Sequence, residues 1–203
     1  MVNRVHQGDL PADLDLGPVV AVDCETMGLD PRRDRLCVVQ LSAGDGDAHL
    51  VQFPQGPLTA PRLAALLEDP GTLKIFHFGR FDLAMLRRHL GIVCAPVYCT
   101  KIASKLVRTY TDRHGLKDLC RELLGIEISK QQQTSDWGAP ELSPEQVAYA
   151  AADVLWLHGL RERLDAMLAR EGRDALAAAC FAFLPHRAEL DLLGFADPDV
   201  FAH

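Results

Sequence analysis

The sequence lacks several features that would have placed it quickly. None of its six cysteines (Cys24, Cys37, Cys94, Cys99, Cys120 and Cys180) sits in a C-x-x-C pair, and no His-x-His or Cys–His cluster has zinc spacing. Nothing in their spacing points to a structural zinc site. Scattered through apolar segments, the thiols read as reduced core residues of a cytosolic protein. No apolar run approaches the length of a membrane span, and "MVNRVHQGDLPADLDLG" carries no signal region, so a soluble, cytoplasmic chain that does not engage membranes is expected. There is also no basic excess: 21 Lys and Arg stand against 28 Asp and Glu, a net charge of −7. That argues against a long electrostatic groove for nucleic acid, but it permits a local phosphate site or a very short nucleic-acid substrate. Internal repeats and low-complexity linkers are absent. The 203 residues, 48% of them hydrophobic, suit one domain over 1–203 with a sizeable core.

What is present begins with "VVAVDCET", a continuous apolar run ending in charge, as in a strand covered on both faces. "RLCVVQLS" and "HLVQF" read as strands joined by the hairpin chemistry of "GDGDA", and "TLKIFHF" as a further strand. "TAPRLAALLED" predicts a helix with Thr59 as cap, and "RFDLAMLRRHLG" one that stops at Gly91. The second half is mostly helical. "TKIASKLV" and "GLKDLCRELLG" are short helices. Leu142 to Glu171 reads as one long helix, with Ser143 as cap, Pro144 at its first position and Gln146 completing a capping box. "RDALAAACFAFL" is a last helix before Pro185. The mixture predicts a three-layer α/β fold.

Asp23 and Glu25 are one residue apart on a strand, so they share a face. Two carboxylates that close repel in a low dielectric, and a solvated Glu25 past the strand end is the plain alternative. Asp82 opens a helix after the strand "LKIFHF", at a sheet's functional edge. Asp153 lies in the otherwise apolar helix face "AYAAADVLWL", where a charge is rarely buried unless paired or metal-bound. Tyr149 is one helical turn earlier on the same face. A Tyr–Asp hydrogen bond explains that pair without any ligand. Converging, the four acids need compensation. Two divalent cations would supply it, and oxygen-only ligands suit Mg²⁺ or Mn²⁺. Two such ions roughly 3.5–4 Å apart serve in-line displacement at phosphorus. Tyr149, a phenol, would orient the attacking water rather than act as a bulk base.

"VDCET", "HFGRFD" and "YAAAD" together resemble the three exonuclease motifs of the DEDD superfamily of 3′–5′ exonucleases, in the tyrosine branch with ribonuclease D. The resemblance implies a ribonuclease H-like fold with a mixed five-stranded sheet flanked by helices. It also implies two metal ions held by Asp23, Glu25, Asp82 and Asp153. Across "RVHQGDLP", "RDRLCVVQLS", "KIFHFGRFDLAML", "CTKIASKLVRTYTDRHGLKDLC", "ISKQQQTSDW" and "CFAFLPHRAELDL" the chain is similar to the nano-RNase C family, small bacterial enzymes that cleave RNA dinucleotides and very short oligonucleotides and assemble as homo-octamers. Two departures stand out. Many relatives place a polar residue such as Asn within the segment before the second-motif Asp, whereas here Phe78 follows His77, and "DWGAPELS" lacks the Arg that follows Asp-Trp in ribonuclease D.

A dinucleotide offers few phosphates, so affinity must come from stacking and from capture of the terminal groups. Leu29 resembles the apolar wedge such enzymes insert between two bases, and Thr26, Met27 and Gly28 would line the same turn. A turn residue covering the strand edge describes Leu29 equally well. His77 and Phe81 flank the second motif, as substrate contacts or as core. Arg108, Arg113, His114 and Lys130 are candidates for capping a terminal 5′-phosphate, within one subunit or across a subunit boundary. Gln133, Ser135 and Trp137 are further candidates to reach the substrate; a solvated loop with a structural Trp is the alternative. The reaction expected is metal-dependent 3′–5′ hydrolysis of RNA dinucleotides to nucleoside 5′-monophosphates. Its rivals are a broader ribonuclease D-like exonuclease and a non-catalytic nucleic-acid-binding protein on the same fold.

Overall fold

The computed structural model describes residues 2–129, 131–197 and 199–201. A six-stranded mixed sheet runs in the order β1-β4-β3-β2-β5-β6, flanked by helices. Its strands are β1 (Asn3–Gln7), β2 (Val19–Thr26), β3 (Leu36–Ser42), β4 (Ala48–Gln52), β5 (Leu73–Phe76) and β6 (Val97–Cys99). The α/β class is as expected, with six strands rather than five. The short outer strands β1 and β6 carry too little periodicity to be read from the sequence. β1 pairs parallel with β4, and β6 parallel with β5.

The strand β2 is central because Val19 to Val22 are small or β-branched and can be covered on both sides. It pairs antiparallel with β3 and parallel with β5. Val20, Ala21 and Val22 are fully buried. The β2–β3 register sets Asp23 opposite Gln40 and Glu25 opposite Val38, with an irregularity between Glu25 and Thr26. That break ends regular pairing where the chain turns into Met27 and Gly28, which suits a functional strand end.

The helices are α1 (Pro61–Glu68), α2 (Arg80–Leu90), α3 (Thr100–Val107), α4 (Leu116–Leu119), α5 (Pro144–Leu155), α6 (Leu157–Glu171) and α7 (Asp174–Leu192). A π-helical turn, Cys120–Leu124, follows α4 directly. Three expectations change. Thr59 does not cap α1: Ala60 holds the cap position, and Asp9, far back in the chain, accepts from the Arg62 and Leu63 amides at 3.0 Å each. The long C-terminal helix is two helices that meet at Trp156, whose φ of −102° and ψ of −5° leave the helical path. The last helix does not stop before Pro185 but runs through it to Leu192. The Ser143–Gln146 capping box of α5 is formed in both directions. Helix α5 packs across β2, β3 and β4, and its fully buried Ala150 allows a close approach to the sheet. No helix among the described residues is long and apolar enough to cross a membrane.

Candidate active site

The period of two along β2 turns Asp23 and Glu25 to one face, and α5 lies over that face with Tyr149 and Asp153 one turn apart. Oxygen atoms of Asp23, Glu25 and Asp153 lie within 4.8 Å of one another. Asp82 approaches from α2. Strand β5 ends at Phe76, and a tight turn through His77, Phe78 and Gly79 leads into that helix. A Cβ on Gly79 would sit 2.8 Å from the Phe76 Cβ, so the turn needs glycine there. Phe78 has a φ of +67°, the one left-handed non-glycine residue among those described. A bulky side chain holds that region only under strain.

Asp82 is 3% exposed in the first turn of α2, where the helix dipole favours a carboxylate. It accepts hydrogen bonds from the Cys24 thiol and backbone amide. Cys24 lies between Asp23 and Glu25, so the second-motif acid is tied to the first-motif strand. Gln40 Nε2 donates to Asp23 Oδ2 at 3.1 Å and reaches Glu25 Oε1 at 3.5 Å.

Burial raises Asp23, Glu25 and Asp82. Asp23 is pushed well up by desolvation and then by the charges of Asp82, Asp153 and Glu25. Glu25 rises to about 9, from desolvation first and then Asp153 and Asp82. Asp82 rises to about 7, mainly from desolvation. Metal-free, the site holds protons it would release to a cation. An all-carboxylate donor set is hard and fits Mg²⁺ or Mn²⁺. The Tyr149 phenol is pushed well above its ordinary value by burial, then by Asp153, Glu25 and Asp23, and it hydrogen-bonds to Asp153. It stays a neutral donor.

Asp23, Glu25 and Asp153 line a cavity of about 610 Å³, and Asp82 lies buried behind them without bordering it. Thr26, Met27, Gly28, Leu29, His77, Phe81, Gln133 and Ser135 all border it. Leu29 is 86% exposed and projects into solvent at the rim. The His77 Nδ1 sits 2.9 Å from Thr100 Oγ1, which fixes its ring. Four expected contacts do not border the cleft, and a fifth lies outside the described residues. Arg108 is 0% exposed, its guanidinium used by Ser104 Oγ, the Arg113 carbonyl and Glu122. It locks a loop rather than a phosphate. Arg113 and His114 belong to that loop and do not border the cavity; the His114 Nδ1 pairs with Ser104 Oγ at 2.8 Å. Lys130 falls outside the described residues. Trp137 is 2% exposed and packs behind Tyr149, with ring centroids 5.9 Å apart, so it supports the phenol rather than touching a ligand.

Phe78, Lys101, Lys117 and Gln40 carry no substrate or site role in the sequence pattern alone. Lys101 and Lys117 line the cleft, and the Lys101 ammonium stands 4.1 Å from the Phe78 ring centroid. Lys101 opens α3 straight after β6, and without that short strand nothing in "TKIASKLV" sets it apart from a surface lysine. Gln40 could have been found: a polar residue at the centre of "LCVVQLS" on a buried strand needs a partner.

A ribonuclease H-like sheet with carboxylates gathered at the end of its central strand, a second-motif acid on the following helix and a Tyr-x-x-x-Asp helix across them defines a DEDD-type nuclease. A family model described as 3′–5′ exonuclease matches residues 8–169. The chain belongs to that family, on its NrnC branch. It is 55% identical to Brucella melitensis NrnC with bound Mg²⁺, over 100% of both chains, with a TM-score of 0.95. It is 56% identical to Brucella melitensis NrnC bound to pGG, over 100% of this chain and 98% of that one, with a TM-score of 0.96. A ribonuclease D of Acidiphilium cryptum is 40% identical over 77% of this chain and 39% of its own length. The chain thus spans about two fifths of the length of the curated relatives it matches.

Proposed function

We propose that the protein is a two-metal 3′–5′ exoribonuclease that hydrolyses RNA dinucleotides and very short oligoribonucleotides to nucleoside 5′-monophosphates in the cytoplasm, working as a homo-oligomer, an octamer by resemblance. The observation that carries this reading is the gathering of three carboxylates within 4.8 Å around a cavity of about 610 Å³. That volume suits a small ligand, and the chain's acidic balance offers no track for a long strand. The pGG bound to one NrnC relative and the Mg²⁺ bound in another NrnC structure point the same way.

Asp23, Glu25, Asp82 and Asp153 would hold two divalent ions, Mg²⁺ or Mn²⁺, which when bound supply charge neutralisation and water activation. The chain's own groups do the rest. Gln40 fixes the Asp23 carboxylate and keeps its other oxygen free to ligate. Tyr149 keeps its proton and directs it at Asp153, leaving the phenol oxygen to accept from the attacking water. Leu29, Phe78 and Phe81 offer apolar surface to the bases, and Lys101 and Lys117 offer positive charge to a phosphate.

A ladder of 5′-labelled RNAs from two to about ten nucleotides tests the reading, because a track of phosphate contacts would reward length. Cleavage concentrated on the dinucleotide is expected. Equal rates along the ladder would favour the ribonuclease D-like activity. Ligand binding with no Mn²⁺-dependent turnover would favour a non-catalytic binding protein.

A further inference from the structure

Helix α5 carries Gln146, Tyr149 and Asp153 at i, i+3 and i+7, a spacing that stacks them on one stripe. Tyr149 and Asp153 border the acid-lined cleft and Gln146 does not. Gln146 is 6% exposed, and the capping box uses only the oxygen of its side-chain amide. That oxygen, Oε1, accepts from the Ser143 backbone N–H at 2.9 Å. The nitrogen, Nε2, reaches the loop before the helix and donates to Ser135 Oγ at 2.8 Å and to the Asp136 carbonyl at 3.0 Å. One residue further along, Trp137 packs on Tyr149. The loop therefore meets α5 at Gln146 and again at Tyr149, one turn apart.

The direction of these bonds is fixed by the backbone. An amide N–H can only donate and a carbonyl can only accept, so Ser143 and Asp136 together decide which end of the Gln146 amide is oxygen and which is nitrogen. Ser135 Oγ must then accept from Gln146. A serine hydroxyl has one proton and two lone pairs. With a lone pair taken, the proton is left to donate, and among the described residues no group accepts it. Ser135 borders the cleft, so the acceptor open to that proton is a bound substrate.

We infer that Gln146 is a positioning residue of the exonuclease: by donating to Ser135 it makes the serine hydroxyl a donor aimed into the cleft, matched to an acceptor oxygen of the substrate. The same amide ties that donor to the helix carrying Tyr149 and Asp153. The inference rests on the hydrolytic reading above and adds to it a residue that acts only through Ser135. Ionised phosphate oxygens accept and never donate, so they suit a site that offers only a proton. A capping box is served equally by glutamate; the Ser135 bond is what requires the amide nitrogen.

A double-mutant cycle on the full chain separates this role from a structural one. Gln146→Glu keeps an acceptor for the Ser143 N–H but meets Ser135 with oxygen, so the serine proton turns from the cleft to the new carboxylate. KM for a dinucleotide should rise about tenfold with kcat within about threefold, as for the loss of one hydrogen bond to a charged group. Ser135→Ala should raise KM by a similar factor, about tenfold. Combined, the two should cost no more than either alone, to within about twofold, because both withdraw the same proton. A Gln146→Glu KM within about twofold of the unaltered protein, or a double variant whose losses multiply to about 100-fold, overturns the inference. If Gln146→Glu does not accumulate as folded protein, Ser135→Ala decides, and a KM within about twofold of the unaltered protein overturns the inference. No turnover by the unaltered protein would instead overturn the hydrolytic reading itself.

Discussion

Tyr149 is the residue whose task the electrostatics define most narrowly. With no cation bound, burial and the carboxylates around it push the phenol well above its ordinary value, and the use we assign to it is directional. Tyr149→Phe removes the hydroxyl and leaves the ring against Trp137. We predict a fall in kcat of about 100-fold or more, the range for one positioned group, with Mn²⁺ affinity within about twofold by calorimetry, since a phenol is not among the expected ligands. The loss should not recover as pH is raised. A Phe variant with parental kcat would remove the water-orienting role. The neighbouring acids follow the same logic: desolvation and mutual repulsion make them poor company until a cation joins them.

At the scale of elements, the chain fixes its site by joining segments far apart in sequence, and this is where sequence reasoning reached its limit. The alternation in "VDCET", the spacing of Tyr149 and Asp153 and the Ser143–Gln146 box are local patterns, so β2 and α5 were legible, and with them the acids. Asp9 capping α1 across about fifty residues was not, because no local pattern encodes it. The edge strands β1 and β6 were too short to show a period. Arg108 looked like a phosphate ligand because it sits in a basic stretch, yet Ser104 and Glu122 bury it; the partners are tertiary. Asp9→Ala should cost about 1 kcal/mol, the usual loss for a helix cap. In a chain this size that lowers Tm by about 2–4 °C. Thermal melting checks this, and an unchanged Tm would mean the cap contributes nothing.

Across the whole molecule the acidic centre links stability, pH and metal. The folded values of Glu25, about 9, and Asp82, about 7, lie above the ordinary 4.5 and 3.8. The native state therefore keeps protons that the unfolded chain has released. The stability they carry is whole below the unfolded values and is lost as pH rises toward about 9. A divalent cation takes the place of those protons, so binding releases them and strengthens with pH. Thermal melts with and without Mg²⁺ should show a metal-free Tm that declines from about pH 6 to about pH 9 and a metal-induced rise that is larger at the alkaline end. A rise of equal size at both ends would contradict the linkage.

The central claim is that acids from β2, α2 and α5 share a pair of ions. Anomalous diffraction from crystals soaked in Mn²⁺ measures this directly. The account predicts two peaks roughly 3.5–4 Å apart, ligated by Asp23, Glu25, Asp82 and Asp153, with Asp23 between them. No peak among these carboxylates, or a single ion that leaves Asp82 or Asp153 unliganded, would contradict it.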